Sequence, residues 1–230
     1  MKDRVIVSFA NERGNYMQAL KRLWDSTVSY AESDFLPLVG ESTIGAPKHG
    51  ENPYAFKIYG IEKALSLGYR KILWLDSSCY LIRSAAPIWE EIEEHGYIAQ
   101  YAGCHVSTWT NDKALSYFGI TREEADSMEM YGNAGFLGLN FDNPIASEFF
   151  EQWKQSMLNG LFKGNWNNND NTESNDPSCR GHRHDMSCGS IVANKLGMNK
   201  RYKRGDEWLE YAPPETDPKN DTIIIKAQGL

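Results

Sequence analysis

The sequence predicts an α/β protein, one domain over residues 1–230, with a mostly parallel central sheet flanked by helices. Three observations predict it. Short apolar runs of strand type alternate with segments whose apolar residues recur every three or four positions. Successive strand runs are far enough apart for helical crossovers. One run, "KILWLD" (71–76), is apolar on both faces, as a strand inside a parallel sheet would be.

In chain order, "RVIVSF" (4–9) reads as the first strand, followed by the polar turn "ANERGN". From Met17, the residues Leu20, Trp24, Thr27, Val28 and Ala31 fall at helical spacing. "FLPLVG" reads as a second strand, which Pro37 assigns to a sheet edge because proline lacks the N–H a central strand needs. A Gly- and Pro-rich loop leads to a second helix from about Pro53, with Tyr54, Ile58, Ile61 and Leu65 on one face and Gly68 at its end. After "KILWLD" come a third helix in "APIWEEIEEHG" and a strand in "YIAQYAG". Thr121 and Glu124 have the spacing of a capping box. "YGNAGFLGLNF" (131–141) is an apolar run with three glycines, and Asn143–Pro144 starts a long helix through Phe149, Trp153 and Met157. Residues 163–184 show no periodicity and much Asn and Asp, the composition of an exposed, mobile loop. A helix over Asp185 to about Leu196 and a last strand in "TIIIKAQ" complete the pattern.

The composition narrows the function classes. The net charge is −7, and no long Lys/Arg run provides a footprint for nucleic acid. No apolar stretch approaches the roughly 20 residues that span a bilayer. The first residues read as a strand rather than a signal peptide. Cys79, Cys104, Cys179 and Cys188 are scattered, which suits reduced thiols and a cytoplasmic location. The spacing of Cys179, His182, His184 and Cys188 matches no common zinc pattern. The loop tryptophans Trp109 and Trp166 read either as packing residues or as platforms for sugar faces.

Chemistry is expected beyond the carboxyl ends of parallel strands, where open α/β sheets bind ligands. Asp76 sits at such an end, followed by Ser77 and Ser78. Two readings are open. One is a turn or capping Asp; the other is a carboxylate that needs a cation, a metal or a ring of N–H donors.

The segments "SFANERGNY", "NPYAFKIYGIEKA", "WLDSS", "NAGFLGLN" and "HRHDMSCGS" occur in that order, each beside a strand end or a helix start. In this order and spacing, over about residues 4 to 198, the chain resembles glycosyltransferases of the GT-A fold. These have a single Rossmann-like domain that binds a nucleotide-sugar, and the chain is similar to the glycogenin and lipopolysaccharide galactosyltransferase type. The resemblance implies transfer of a sugar from a nucleotide-sugar, with a UDP-sugar favoured, to a glycan or other hydroxyl acceptor. It implies metal assistance, Mn²⁺ or Mg²⁺, and possible retention of configuration. Asp76 matches the first acid of the family's "LYLDxD" metal motif, while Ser78 stands in place of the second. No histidine follows His184, so Gln228 is the nearest match to the late metal ligand. Lys57 matches the basic residue that neutralises donor phosphate; alone, it also reads as a solvated helix lysine. Asn11 and Tyr16 resemble the base and ribose contacts, and Asn133, Ala134 and Gly135 the sugar-contacting strand. Asp185 matches the acid of the "Asp-Gln" helix start, with Met186 replacing the Gln, and reads equally as an N-cap. Arg183 and His184 precede it within reach of phosphate or acceptor, and Ser77 joins the donor set. An inverting reaction would need a base, for which Asp185, Glu129 and Asp112 are candidates. The missing second acid, His and Gln keep open a degenerate domain that binds donor or glycan without turnover. A nucleotidyltransferase ranks last, since "SFANERG" lacks a glycine-rich phosphate loop.

Overall fold

Strands β1 (Arg4–Ala10), β2 (Asp34–Val39), β3 (Lys71–Leu75), β5 (Tyr97–His105) and β6 (Glu129–Asn140) form a five-stranded sheet in the order β2-β1-β3-β6-β5. Three short strands, β4 (Cys79–Leu81), β7 (Leu209–Tyr211) and β8 (Ile225–Ala227), form a second sheet in the order β4-β8-β7. The computed structural model describes residues 3–12, 14–205 and 207–228, apart from the side chains of residues 132–134.

The α/β class is as expected, but the large sheet is mixed rather than mostly parallel. β1 pairs parallel with β2 and with β3, whereas β6 runs antiparallel to both β3 and β5. A strand's direction is not written in its own residues. "YGNAGFLGLN" is as apolar as a parallel strand because it is covered on both faces, by α7 (Asp185–Lys195) on one side and α3 (Ala86–His95) on the other.

Local signals account for most helix ends. After the short helix α4 (Asp112–Phe118), Thr121 and Glu124 form the reciprocal capping box at α5 (Arg122–Asp126). Pro87 lies in the first turn of α3, and Gly96 ends it in the left-handed conformation. Asn143 caps α6 (Pro144–Leu158), accepting from the Ile145 N–H. β2 is an edge strand, where the missing N–H of Pro37 costs no sheet hydrogen bond. Two expectations shift. Helix α2 (Phe56–Ser66) starts after Pro53, because Tyr54 has a positive φ of 59°. Helix α1 (Tyr16–Tyr30) buries Leu20, Leu23 and Thr27, leaving Trp24 and Val28 exposed.

The core lies on both faces of the large sheet. One side packs Val5, Val7, Ile58, Ile61, Trp74, Leu137, Phe149 and Trp153; the other packs Ile6, Leu23, Leu73, Trp89, Ile92 and Phe136. No described helix is long and apolar enough to cross a membrane, and the four cysteines are unpaired.

The architecture places one edge of the sheet where chemistry can collect. β1, β2 and β3 run the same way, so the residues after Ala10, Val39 and Leu75 emerge together. β1 lies between β2 on one side and β3 on the other, and the chain changes side there, the position where open α/β sheets leave a crevice.

Candidate active site

A cavity of about 990 Å³ opens at that edge. Its size is at the upper end of the roughly 300–1,000 Å³ of small-molecule sites. Its walls come from the segments after the three parallel strands: Asn11 and Glu12 after β1, Gly40 to Ser42 after β2, and Asp76, Ser77 and Ser78 after β3. Tyr16 of α1 and the loop ahead of α2 close the remaining sides. Five residues singled out in the sequence (Asn11, Tyr16, Asp76, Ser77 and Ser78) are thus gathered around one space.

Asp76 is the link between this space and a buried charge cluster. Its side chain is 38% exposed, and Oδ1 accepts from Trp74 Nε1 at 2.8 Å and lies 3.5 Å from Lys57 Nζ. Lys57 is buried rather than solvated, with Nζ 3.1 Å from Oδ2 of the buried Asp185. One ammonium therefore serves two carboxylates. Burial alone would lower the Lys57 pKa, but Asp185 and Asp76 outweigh it and hold it above the usual lysine value. Burial pushes Asp185 up to about 6 against the pull of Lys57, with repulsion from Asp76 adding to the rise. Neither Lys57 nor Asp185 lines the cavity; they stand behind Asp76 and Tyr54.

The backbone around the cluster is strained. Tyr54 and His184 both have positive φ, 59° and 51°, in a region that L-residues with large side chains rarely adopt. Their rings meet at 5.4 Å, and Tyr54 also lies 5.3 Å from the Lys57 ammonium. His184 is the residue from which α7 starts, so its unusual conformation directs Asp185 toward Lys57. Asp185 is the first residue inside the helix rather than its N-cap, which is His184, and its carboxylate faces the ammonium.

The remaining expected residues are placed differently. The backbone of Gly135 accepts from the Asp76 N–H, and a Cβ there would lie 3.0 Å from Asp76 Oδ2. The absent side chain makes room first for the Asp76 carboxylate. Asn133 and Ala134 lie on β6, with side chains outside the described residues. The Arg183 guanidinium is stacked between Trp109 and Trp166, at 3.6 and 4.0 Å from their rings, away from the cavity walls. His184 Nδ1 bonds the Phe162 carbonyl, and burial holds its pKa below the usual histidine value. Glu129 pairs with Arg204 and Asp112 with Arg122, and neither acid lines the cavity. His182, Cys179 and Cys188 each bond backbone carbonyls.

Sequence reasoning missed the aromatic walls. Phe9 stacks on Phe56 at 4.3 Å, and His49 meets Tyr54 at 4.8 Å; all four line the cavity. Phe9 reads as part of a strand, Tyr54 as part of a helix face and His49 as part of a loop, and only the fold turns them toward a common space. Arg22 was also missed. It donates to the Ser78 carbonyl at 2.9 Å and to Gln228 Oε1 at 2.7 Å.

The oxygens available to a divalent ion were tested against these contacts. Asp76 Oδ1 already faces Trp74 and Lys57, which leaves Oδ2 as the carboxylate oxygen toward a ligand, and Gln228 Oε1 and the Ser78 carbonyl are taken by Arg22. Among the described residues no group of three or more His, Cys, Asp or Glu is placed to hold a metal. The donor set as arranged does not fit Mn²⁺ or Mg²⁺, hard ions that favour several free oxygen ligands.

No protein family and no curated protein matches the sequence. Among solved structures, the chain is similar to the apo form of mouse xyloside xylosyltransferase 1. The identity is 10% and the TM-score 0.52, over 97% of this chain and 96% of that one. It is also similar to the apo WbbM bifunctional glycosyltransferase, at 10% identity and a TM-score of 0.51, over 96% of this chain but 45% of that one. These likenesses establish the fold, and the expected GT-A type is borne out at that level.

Proposed function

We propose that the protein is a glycosyltransferase that moves a sugar from a nucleotide-sugar to a glycan or other hydroxyl acceptor. The observation that carries this reading is the convergence of Asn11, Tyr16, Asp76, Ser77 and Ser78 on one cavity at the carboxyl ends of three parallel strands, with Lys57 and Asp185 directly behind Asp76. The fold shared with two glycosyltransferases supports it.

In this reading the aromatic wall of Phe9, Phe56, Tyr54 and His49 receives the base, and the turn Asp76–Ser78 meets the diphosphate and sugar. As the glycosidic bond breaks, positive charge develops on the sugar and negative charge on the departing diphosphate. Preorganised groups aimed at those charges lower the barrier without reorganising. Asp76 faces the positive side from the cavity wall; Lys57 and Asp185 stand behind it and hold it in place. With Lys57 already shared between two acids, the diphosphate needs a further cation. Arg183, Trp109 and Trp166 belong to the acceptor side in this reading, and the 163–184 segment closes over the bound sugar to exclude water. Retention of configuration, with the departing phosphate taking the acceptor proton, agrees with Glu129 and Asp112 being engaged elsewhere.

A second reading is a degenerate domain that binds donor without turnover. Ser78 in place of an acid and the burial of Lys57 and Asp185 favour it. One panel separates the outcomes: thermal unfolding with UDP-, GDP-, CDP- and dTDP-sugars, followed by detection of released nucleoside diphosphate. A ligand at 100 times its Kd adds about 2.7 kcal/mol, roughly 5–10 °C at 2–4 °C per kcal/mol for a chain of this size. The transferase reading expects such a shift with one nucleotide class, a UDP-sugar first, and its loss in Asp76→Ala. Binding without released diphosphate supports the degenerate domain. No shift with any nucleotide overturns both.

A further inference from the structure

We propose that Arg22 is the resident cation of the donor site and that a nucleoside diphosphate binds this protein without a divalent metal. The inference rests on the donor-site reading above and deepens it.

Two oxygens beyond the end of β3, the Ser78 carbonyl and Oε1 of Gln228, the expected late metal ligand, are held by one guanidinium. β4 pairs with β8, with Cys79 opposite Ala227, so the residues flanking that pair, Ser78 and Gln228, are neighbours. The Gln228 N–H donates to the Ser78 carbonyl. One guanidinium then binds both, its two terminal nitrogens reaching Ser78 O at 2.9 Å and Gln228 Oε1 at 2.7 Å. A side chain from α1 therefore clamps together the turn that ends β3 and the residue that ends β8. A divalent ion drawing on the same oxygens would have to displace a fixed positive charge.

Arg22 is built to stay there. Its guanidinium lies 4.4 Å from the centre of the Tyr80 ring, a stacking arrangement that fixes its plane. An arginine remains charged at any pH the fold tolerates. It has five N–H donors, and two are used in the bonds to Ser78 and Gln228. Its Nε is buried, with no hydrogen-bond partner among the described residues. Ser78 is itself part of the cavity wall, so the guanidinium stands immediately behind the surface that the diphosphate meets. A planar fork of donors matches phosphate oxygens in pairs, a geometry an ammonium lacks. Lys57, spent on Asp185 and Asp76, does not supply this charge.

The substitution of Ser for the second acid then has a physical reason. An aspartate at 78 would attract the guanidinium away from its backbone acceptor and neutralise it. A serine leaves the positive charge available to the ligand.

The test is titration calorimetry of the full chain with UDP, GDP, CDP and dTDP, once in EDTA and once in MnCl₂. The wild type is expected to bind one of these in EDTA, with a Kd within threefold of that in Mn²⁺. Arg22→Met, which keeps the stem against Tyr80, is expected to weaken binding in EDTA at least tenfold, and Arg22→Lys to recover part of the loss. Circular dichroism confirms that the variants fold; if Arg22→Met does not, Arg22→Lys alone is compared, with at least a threefold loss expected. Binding that requires Mn²⁺, or binding in EDTA that the Arg22 variants leave unchanged, overturns this inference and leaves the donor site standing. Failure of every nucleotide under both conditions overturns the donor-site reading itself, and this inference with it.

Discussion

Replacing Lys57 with methionine keeps most of the side-chain volume and removes the charge that Asp185 and Asp76 share. At an effective dielectric constant of about 20, a charge pair at the 3.1 Å of Lys57–Asp185 is worth roughly 5 kcal/mol before desolvation is counted. Breaking a buried pair by removing one partner costs about 3–5 kcal/mol, because the other charge stays behind unpaired. For a chain of this length each kcal/mol moves Tm by roughly 2–4 °C, so the expected loss at pH 8 is about 6–20 °C. The loss should also depend on pH. Asp185 is already raised from its ordinary 3.8 to about 6 with its partner present. An acid whose folded pKa is raised contributes stability that is present below its unfolded value and lost as pH rises through the folded one. Without Lys57 the folded value rises further, and the window of loss extends through neutrality. Thermal unfolding of Lys57→Met and wild type at pH 5, 6, 7 and 8 should therefore show a gap in Tm that widens with pH. In the Lys57→Met/Asp185→Asn double variant, where no buried acid is left uncompensated, most of the gap at pH 8 should close. A gap that is equal at all four pH values, or below 2 °C at pH 8, would refute the shared-charge account.

Other expectations concern the supports of the site. In Gly135→Ala the new Cβ would lie 3.0 Å from Asp76 Oδ2, closer than ordinary contacts, so the carboxylate must move. The expected cost is about 1–3 kcal/mol of stability, together with loss of any nucleotide-induced shift; an unchanged shift would contradict the placement of Asp76. His182 is held neutral by burial, with its pKa lowered to about 3 from 6.5. A depressed pKa contributes stability that is present above 6.5 and lost as pH falls toward 3, by up to about 5 kcal/mol. His182→Gln should therefore flatten the fall in Tm between pH 6.5 and 4 relative to wild type, while lowering Tm at pH 7. A parallel acid limb in the two proteins would show that His182 does not titrate in that window.

The parts of this fold that were legible in sequence are those fixed by neighbouring residues. The Thr121–Glu124 capping box, the Pro87 and Gly96 ends of α3 and the Pro37 edge strand depend on contacts a few positions apart. The direction of β6 and the small β4-β8-β7 sheet depend on partners far along the chain, and strands of three residues leave no periodic pattern. The same distinction runs through the site. Asp76 was recognisable as a carboxylate at the end of a buried strand. That Lys57 is buried was not, because a lysine amid a helix looks solvated until Asp185 is brought against it. Arg22 and Gln228 meet across 206 positions, and nothing local in either segment announces the contact.

The central claim is transfer of a sugar, and the most direct test is turnover at the Lys57–Asp185 pair. Nucleoside diphosphate release from the nucleotide-sugar that stabilises the fold would be measured for wild type, Asp185→Asn and Asp76→Asn, with water or a mixed-oligosaccharide acceptor. The account expects release by the wild type, and a loss of at least 100-fold in both variants, roughly 2.7 kcal/mol of transition-state stabilisation. Donor-induced stabilisation in Asp185→Asn should be retained, since Asp185 does not line the cavity. Equal release by Asp185→Asn and wild type would contradict it.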